Sequence, residues 1–190
     1  MNQKILEAVD WQAIPAPVDD GSASHLEGMS MPSVPLPSTR GGQVNPGRLS
    51  GWSVLFFYPM TGRPDVPLPD GWDDIPGARG CTPQSCAFRD LSQELADKGV
   101  SAIFGISTQS TECQRETADR LHLPFALLSD AELQLTAALR LPTMEVEGKM
   151  LVKRLTLVLH GAQVKRVFFP VFPPDRNAAD VLKFMESGLP

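Results

Sequence analysis

Cysteine is scarce in this chain, with three in 190 residues, which excludes a scaffold built on disulfides. Histidine is equally scarce. His25, His122 and His160 are scattered and none sits at motif spacing from a cysteine, so a Cys-His hydrolase has no visible base. No second Cys/His pair follows the first, and the spacing C-x4-C falls outside the usual zinc-ligand pairs. Long apolar runs are missing too: none approaches the roughly 20 residues of a spanning helix, so no membrane partner is expected. Positive charge is in deficit, with a net charge of −5, which argues against nucleic acid or an anionic surface as partner. No Gly-rich phosphate loop, repeat or low-complexity segment occurs. Met1 to Glu7 lacks the apolar core of a signal peptide, and the expected location is cytoplasmic. What remains, 42% hydrophobic and 21% charged, is an ordinary globular composition on a chain long enough for one substantial core.

Two of the three cysteines lie together in Gly80-Cys81-Thr82-Pro83-Gln84-Ser85-Cys86. An apolar run, Ser53 to Tyr58 ending at Pro59, precedes them, and a segment of helical periodicity follows. The pattern predicts strand, loop and helix, with Cys81 at the helix start. A thiol there faces free backbone N–H groups, which favour the nucleophilic thiolate. In an intact helix, residues five apart have Cα atoms roughly 8.6 Å apart, whereas a disulfide needs less than about 7 Å. Joining Cys81 to Cys86 therefore requires the first turn to unwind, and Pro83, lacking an N–H, should ease that opening. Two simply buried thiols are the alternative reading. Cys113 is expected to pack in a helix away from the pair.

Taken in order, residues 1 to about 50 are rich in turn formers and read as an N-terminal arm on the edge of the domain, with a hairpin turn at Arg40-Gly41-Gly42-Gln43. Met60 to Gly80 is punctuated by Pro64, Pro67, Pro69 and Pro76. It is expected to hold neither helix nor strand and to act as a wall or lid over Cys81. Helix is predicted from Thr82 to about Lys98, with Phe88, Leu91 and Leu95 on one face. Strand follows at Val100 to Ser107. The next helix should open at Ser110-Thr111-Glu112, with Thr111 and Gln114 as a capping box, and end near His122 before Pro124. A short extended piece within Leu123 to Leu128, a helix over Ala131 to Leu139 capped by Asp130, and a strand at Leu151 to Leu159 come next. Gln163 to Phe169 returns as hairpin partner, and Asp175 caps a last helix with Ala178, Val181, Leu182 and Met185 inward. Strand–helix alternation followed by a hairpin implies an α/β thioredoxin-like fold: a central mixed β-sheet flanked by helices, with an N-terminal extension.

Phe57-Tyr58-Pro59, Gly80-Cys81-Thr82 and Cys86-Ala87-Phe88-Arg89-Asp90-Leu91 resemble the peroxiredoxin family, most closely its PrxQ or bacterioferritin-comigratory branch. The likeness continues through Gly105-Ile106-Ser107, Leu123-Pro124-Phe125, Leu127 to Asp130 and Arg154 to Val158. It spans roughly residues 28 to 187 and implies an arm at 1–27, a peroxiredoxin domain at 28–190, and an inserted loop at 60–80. The resemblance implies a thiol peroxidase that uses no metal, flavin or haem cofactor. Cys81 would be the peroxidatic cysteine, oxidised by hydrogen peroxide or an organic hydroperoxide to a sulfenic acid. Cys86 would resolve it as an intramolecular disulfide, and a thioredoxin-like reductant would recycle it. Arg154 would lie beside the sulfur and Pro59 would shield it. A partner subunit would not be needed, so a monomer is expected.

One departure stands out. The family carries a hydroxyl three residues before the peroxidatic cysteine, where this chain has Ala78, and a proline where it has Asp74; about 15 extra residues separate Pro59 from Cys81. Thr61, or less directly Thr82, is the candidate replacement, and Arg79 could add positive potential. Without a replacement, a thiol-disulfide sensor of the same fold, with weak peroxidase activity, is the alternative.

Overall fold

The structure, a computed structural model, describes residues 9–187; the two ends of the chain, including the first residues of the arm, lie outside the described residues. Its elements are β1 (Leu36–Pro37), β2 (Gln43–Val44), β3 (Trp52–Phe57), α1 (Cys81–Asp90), α2 (Ser92–Asp97), β4 (Val100–Ser107), α3 (Thr111–Arg120), β5 (Ala126–Ser129), α4 (Gln134–Leu139), β6 (Thr143–Val146), β7 (Lys149–Val152), β8 (Leu155–His160), β9 (Gln163–Phe168) and α5 (Asn177–Glu186).

The central sheet has the order β5-β4-β3-β8-β9. Its β3, β4 and β5 run parallel, and β8 and β9 are antiparallel. This is the mixed sheet that the alternation predicted. β3 is buried from Ser53 onward because both its faces are covered, which is why its sequence is a continuous apolar run rather than an alternating one. Leu55 and Phe57 pack on one side with Leu157, Leu159 and α4. Val54 and Phe56 point to the other side, among Phe88, Leu95, Ala178 and Val181 of the remaining helices. The Phe56 ring stacks on Phe88 at 4.5 Å between centroids, and that contact fixes α1 on the sheet. Such a pair is worth about 0.5–1.5 kcal/mol beyond its buried area.

Several expectations need correction. The helix predicted from Thr82 to Lys98 is two helices: Leu91 leaves helical geometry, and the Ser92 hydroxyl donates to the Arg89 carbonyl at the break. The strand predicted over Leu151 to Leu159 is interrupted at Lys153 and Arg154, so that β7 pairs with β6 in a separate hairpin and β8 enters the central sheet. Ser110, not Thr111, caps α3 by accepting from the Cys113 N–H. Gln114 is buried, and its amide donates to the carbonyls of Gln109 and Leu128. α4 begins only at Gln134, and the Asp130 carboxylate reaches forward to the N–H groups of Leu135 and Thr136. Asp175 does not cap α5; it accepts from the Trp11 indole N–H at 2.8 Å. The loop at 60–80 holds one short 3-10 turn, Trp72–Asp74.

The described part of the N-terminal segment is bound into the domain. Ala23 and Leu26 belong to the core, and Gly28 and Met31 donate N–H bonds to the carbonyls of Val164 and Ala162 at the β9 edge. Further out, Trp11 meets Phe172 edge-on at 6.0 Å and lies over Gly80, the N-cap of α1. Gly80 has φ +107°, and a Cβ there would stand 2.5 Å from Pro174 Cγ and 2.8 Å from Trp11 Cη2. Gly99 shares the positive φ, at +92°, but has open space around it. Backbone strain of this kind costs about 1–3 kcal/mol, so Gly99→Ala should lower Tm by roughly 2–12 °C. Gly80→Ala should lose more, because the same strain is joined by a clash on two rings. Thermal melts of the two variants check this; equal losses would show that the space above Gly80 is not constrained.

Candidate active site

Cys81 is the first residue of α1, and the first intrahelical bond runs from the Gln84 N–H to the Gly80 carbonyl. The N–H groups before Gln84 have no intrahelical acceptor. Pro83 sits among them, so its missing N–H removes no bond from the helix. Pro83 therefore does not break the turn, and few intrahelical bonds hold the turn closed.

The Cys81 side chain is buried, with 3% exposure. Arg154 Nη2 donates to its sulfur at 3.2 Å, and the sulfur lies 3.6 Å from the Ala78 carbonyl oxygen. The interruption between β7 and β8 aims Arg154 here. Its Nη2 also bonds the carbonyls of Ala78 and Arg79 at 3.0 and 3.1 Å, and Nη1 donates to Gln84 Oε1. Arg154 is itself 97% buried, at 3% exposure, so this cation acts on the sulfur with little screening by water. Gln84 in turn donates to Asn177 Oδ1, which also accepts from the Thr156 hydroxyl.

Cys86 follows in the same unbroken helix and is half-buried, and both thiols are free. Burial pushes the Cys86 thiol up from its ordinary 9.0; Arg89 and Arg120 pull it back and Asp90 adds to the rise. Both cysteines border a cavity of about 640 Å³ whose walls include Met60, Leu68, Trp72, Thr82 and Trp11. The loop at 60–80 thus forms a wall of this cavity, as its position before Cys81 suggested.

The other expected residues divide. Pro59 is buried at the end of β3 but is not among the residues lining that cavity. Thr61 is not brought to Cys81. The residue is 3% exposed and its hydroxyl is held by Gln109 and Thr117; it lines a second cavity, with Cys113, while its neighbours Met60 and Gly62 border both. Thr82 is the hydroxyl residue that does line the cysteine cavity. Arg79 is exposed and paired with Asp73, an arrangement worth little at a surface. Sequence reasoning missed Trp11, Gln84 and Asn177. Gln84 was within reach, since i and i+3 share a helix face; Trp11 and Asn177 carry no local signal. Among the described residues no group of three or more His, Cys, Asp or Glu could hold a metal ion, and no helix is long and apolar enough to cross a membrane.

Tyr58, just past β3, is fully buried and donates to Gln114 Oε1 at 3.3 Å. Burial first, and then the charge of Cys81, push its phenol above the ordinary 10.0. The folded protein therefore favours the neutral phenol, and the unfolded chain releases that proton first. Stability from this group is whole below pH 10 and falls above it, by up to about 1.4 kcal/mol per pH unit. Cys86 adds the same sign from about pH 9. The chain has one tyrosine, so absorbance at 295 nm reads Tyr58 alone. Its titration should coincide with alkaline unfolding followed by circular dichroism, and a phenol that titrates well before unfolding would contradict the burial.

A thiol at a helix start, backed by a buried arginine on a thioredoxin-like sheet, defines a thiol-based redox enzyme. The chain matches the Redoxin family model over residues 26–182. It is 28% identical to the chloroplastic peroxiredoxin Q of Sedum lineare over 187 residues, covering 97% of this chain and 91% of the relative. It is 34% identical to the bcp peroxiredoxin of Coxiella burnetii over 106 residues, 55% of this chain and 60% of that one. The crystal structure of peroxidoxin BcpB from Mycobacterium tuberculosis superposes with a TM-score of 0.69 at 28% identity, over 86% of this chain and 98% of that chain. The chain belongs to the Redoxin family, as a peroxiredoxin of the PrxQ and bacterioferritin-comigratory type, and is a thiol-dependent peroxidase.

Proposed function

We propose that Cys81 is the peroxidatic cysteine and Cys86 the resolving one. The observation that carries this reading is the Arg154 Nη2 contact on Cys81 Sγ at 3.2 Å in a cavity that Cys86 also borders. The Cys81 thiolate attacks the distal peroxide oxygen. The O–O bond breaks, an S–O bond forms, and the leaving oxygen takes a proton to depart as water or an alcohol. Arg154 stabilises the charge that develops on the two oxygens. The sulfenic acid then condenses with the Cys86 thiol, releasing water, once the first turn of α1 unwinds. Unwinding also frees Cys86 from the burial that holds its proton. A dithiol reductant of the thioredoxin type takes the disulfide back to two thiols. Both steps on sulfur use one helix of one chain, so the reading needs only a monomer, in a reducing compartment such as the cytoplasm. Thr82, rather than Thr61, supplies the hydroxyl that Ala78 lacks.

Rapid mixing of the reduced protein with hydrogen peroxide or cumene hydroperoxide tests this. Tryptophan fluorescence reports on the site through Trp11 and Trp72, which line the cavity; Trp52, which does not line it, lies tilted against His160 at 4.7 Å. Peptide mapping of the quenched product should give a Cys81–Cys86 disulfide, formed faster than free cysteine oxidises. A disulfide through Cys113 would overturn the role of Cys86, and oxidation at the free-thiol rate would favour the sensor alternative.

A further inference from the structure

Gln84 can present either end of its amide to Arg154, and only one end is useful. The oxygen accepts from the guanidinium, whereas the amide nitrogen would set donor against donor. Gln84, Asn177 and Thr156 are 0–1% exposed, so water cannot repair a wrong choice, and a buried unpaired donor is costly. In the structure Gln84 Nε2 donates to Asn177 Oδ1 at 3.0 Å, and the same oxygen accepts from Thr156 Oγ1 at 2.6 Å. That leaves Gln84 Oε1 for Arg154 Nη1. A guanidinium is planar and rigid. The Gly77, Ala78 and Arg79 carbonyls anchor Nη2 at 3.3, 3.0 and 3.1 Å; the Gln84 bond to Nη1 fixes how the plane turns about that anchor, with Nη2 on Cys81 Sγ at 3.2 Å.

We infer that Asn177, at the start of α5, is a positioning residue for the peroxidatic site. Its side-chain oxygen fixes the orientation of Gln84 and, through it, the aim of Arg154 at Cys81. Asn177 touches neither sulfur nor peroxide and acts only through this chain of three side chains. The inference rests on the peroxidase reading for its purpose but not for its geometry. The competing account is that Asn177 merely packs the beginning of α5. The two differ in what they require: positioning requires an acceptor atom, packing requires volume.

The test compares Asn177→Ala, Asn177→Leu and Asn177→Asp with the parent protein. The first two lack the acceptor at different volumes, and the third keeps it. Two rates are read on each: alkylation of Cys81 by iodoacetamide at pH 7, followed by mass spectrometry, and oxidation of Cys81 by hydrogen peroxide. Loss of a guanidinium contact on the sulfur should slow both by roughly tenfold in Asn177→Ala and Asn177→Leu alike, with Asn177→Asp close to the parent. Thermal melts establish that each variant is folded at the assay temperature; should one of the first two be unfolded, the other carries the comparison. Rates within twofold of the parent in both, a loss confined to one of the two volumes, or an Asn177→Asp as slow as Asn177→Leu would each overturn the inference. A parent whose Cys81 oxidises no faster than free cysteine would instead remove the peroxidase reading, and the alkylation series would still decide the role of Asn177.

Discussion

Cys81→Ser should reduce peroxide consumption to that of buffer, while Cys86→Ser should consume one equivalent rapidly, without turnover, and a second only as excess peroxide carries the sulfenic acid further. The difference follows from where the two thiols sit. Cys81 is the sulfur that Arg154 touches, and a serine hydroxyl in its place cannot take oxygen from a peroxide. Cys86 is half-buried five positions along the same helix, and burial keeps it protonated. On the proposed assignment it reacts second, once the first turn of α1 has unwound. Without it the sulfenic acid has no intramolecular partner and is exposed to further oxidation, so Cys86→Ser should accumulate sulfinic acid as peroxide is raised. A coupled assay with a dithiol reductant, with intact-mass measurement of the protein after each addition, reads both outcomes. Full turnover by Cys86→Ser with that reductant would show that resolution does not pass through this residue.

The second large effect belongs to Arg154. Arg154→Met keeps much of the length of the side chain and removes its charge and donors. It should lower the rate of Cys81 oxidation by about 10²–10³-fold, the range found when one donor to a developing oxyanion is lost. Arg154→Lys should recover little. A single ammonium cannot reach Gln84, the Ala78 and Arg79 carbonyls and the sulfur together, as the guanidinium does. Stopped-flow oxidation of both variants, with melts to confirm folding, gives the numbers. A lysine variant as fast as the parent would mean that charge alone suffices and that the fork geometry is idle.

The parts of this molecule legible in the sequence are those written locally. β3 and β4 announce themselves as apolar runs, and Cys81 at the head of α1 follows from a glycine, a loop and a helical period. Boundaries went wrong where tertiary contacts overrode the pattern. Leu151 to Leu159 has the composition of one strand, but its two halves serve different sheets, and the break is what turns Arg154 to the sulfur. The surroundings of Thr61 were not legible, because its place along the chain says nothing of Gln109 and Thr117, which hold its hydroxyl. Trp11 and Asn177 could not be found at all, because each acts on α1 from far away in sequence.

That remoteness has a consequence for how the protein is made. Gln84 and Asn177 are 93 residues apart, and Trp11 and Asp175 are 164 apart. At about 5–20 residues per second, synthesis delivers Cys81 roughly 5 to 20 s before Asn177. Until α5 and the turn before it arrive, Gln84 lacks its Asn177 partner and the indole of Trp11 has no carboxylate to hold it. On the proposed roles, the sulfur emerges from the ribosome well before the residues that aim Arg154 at it, and the site is assembled only once α5 is in place.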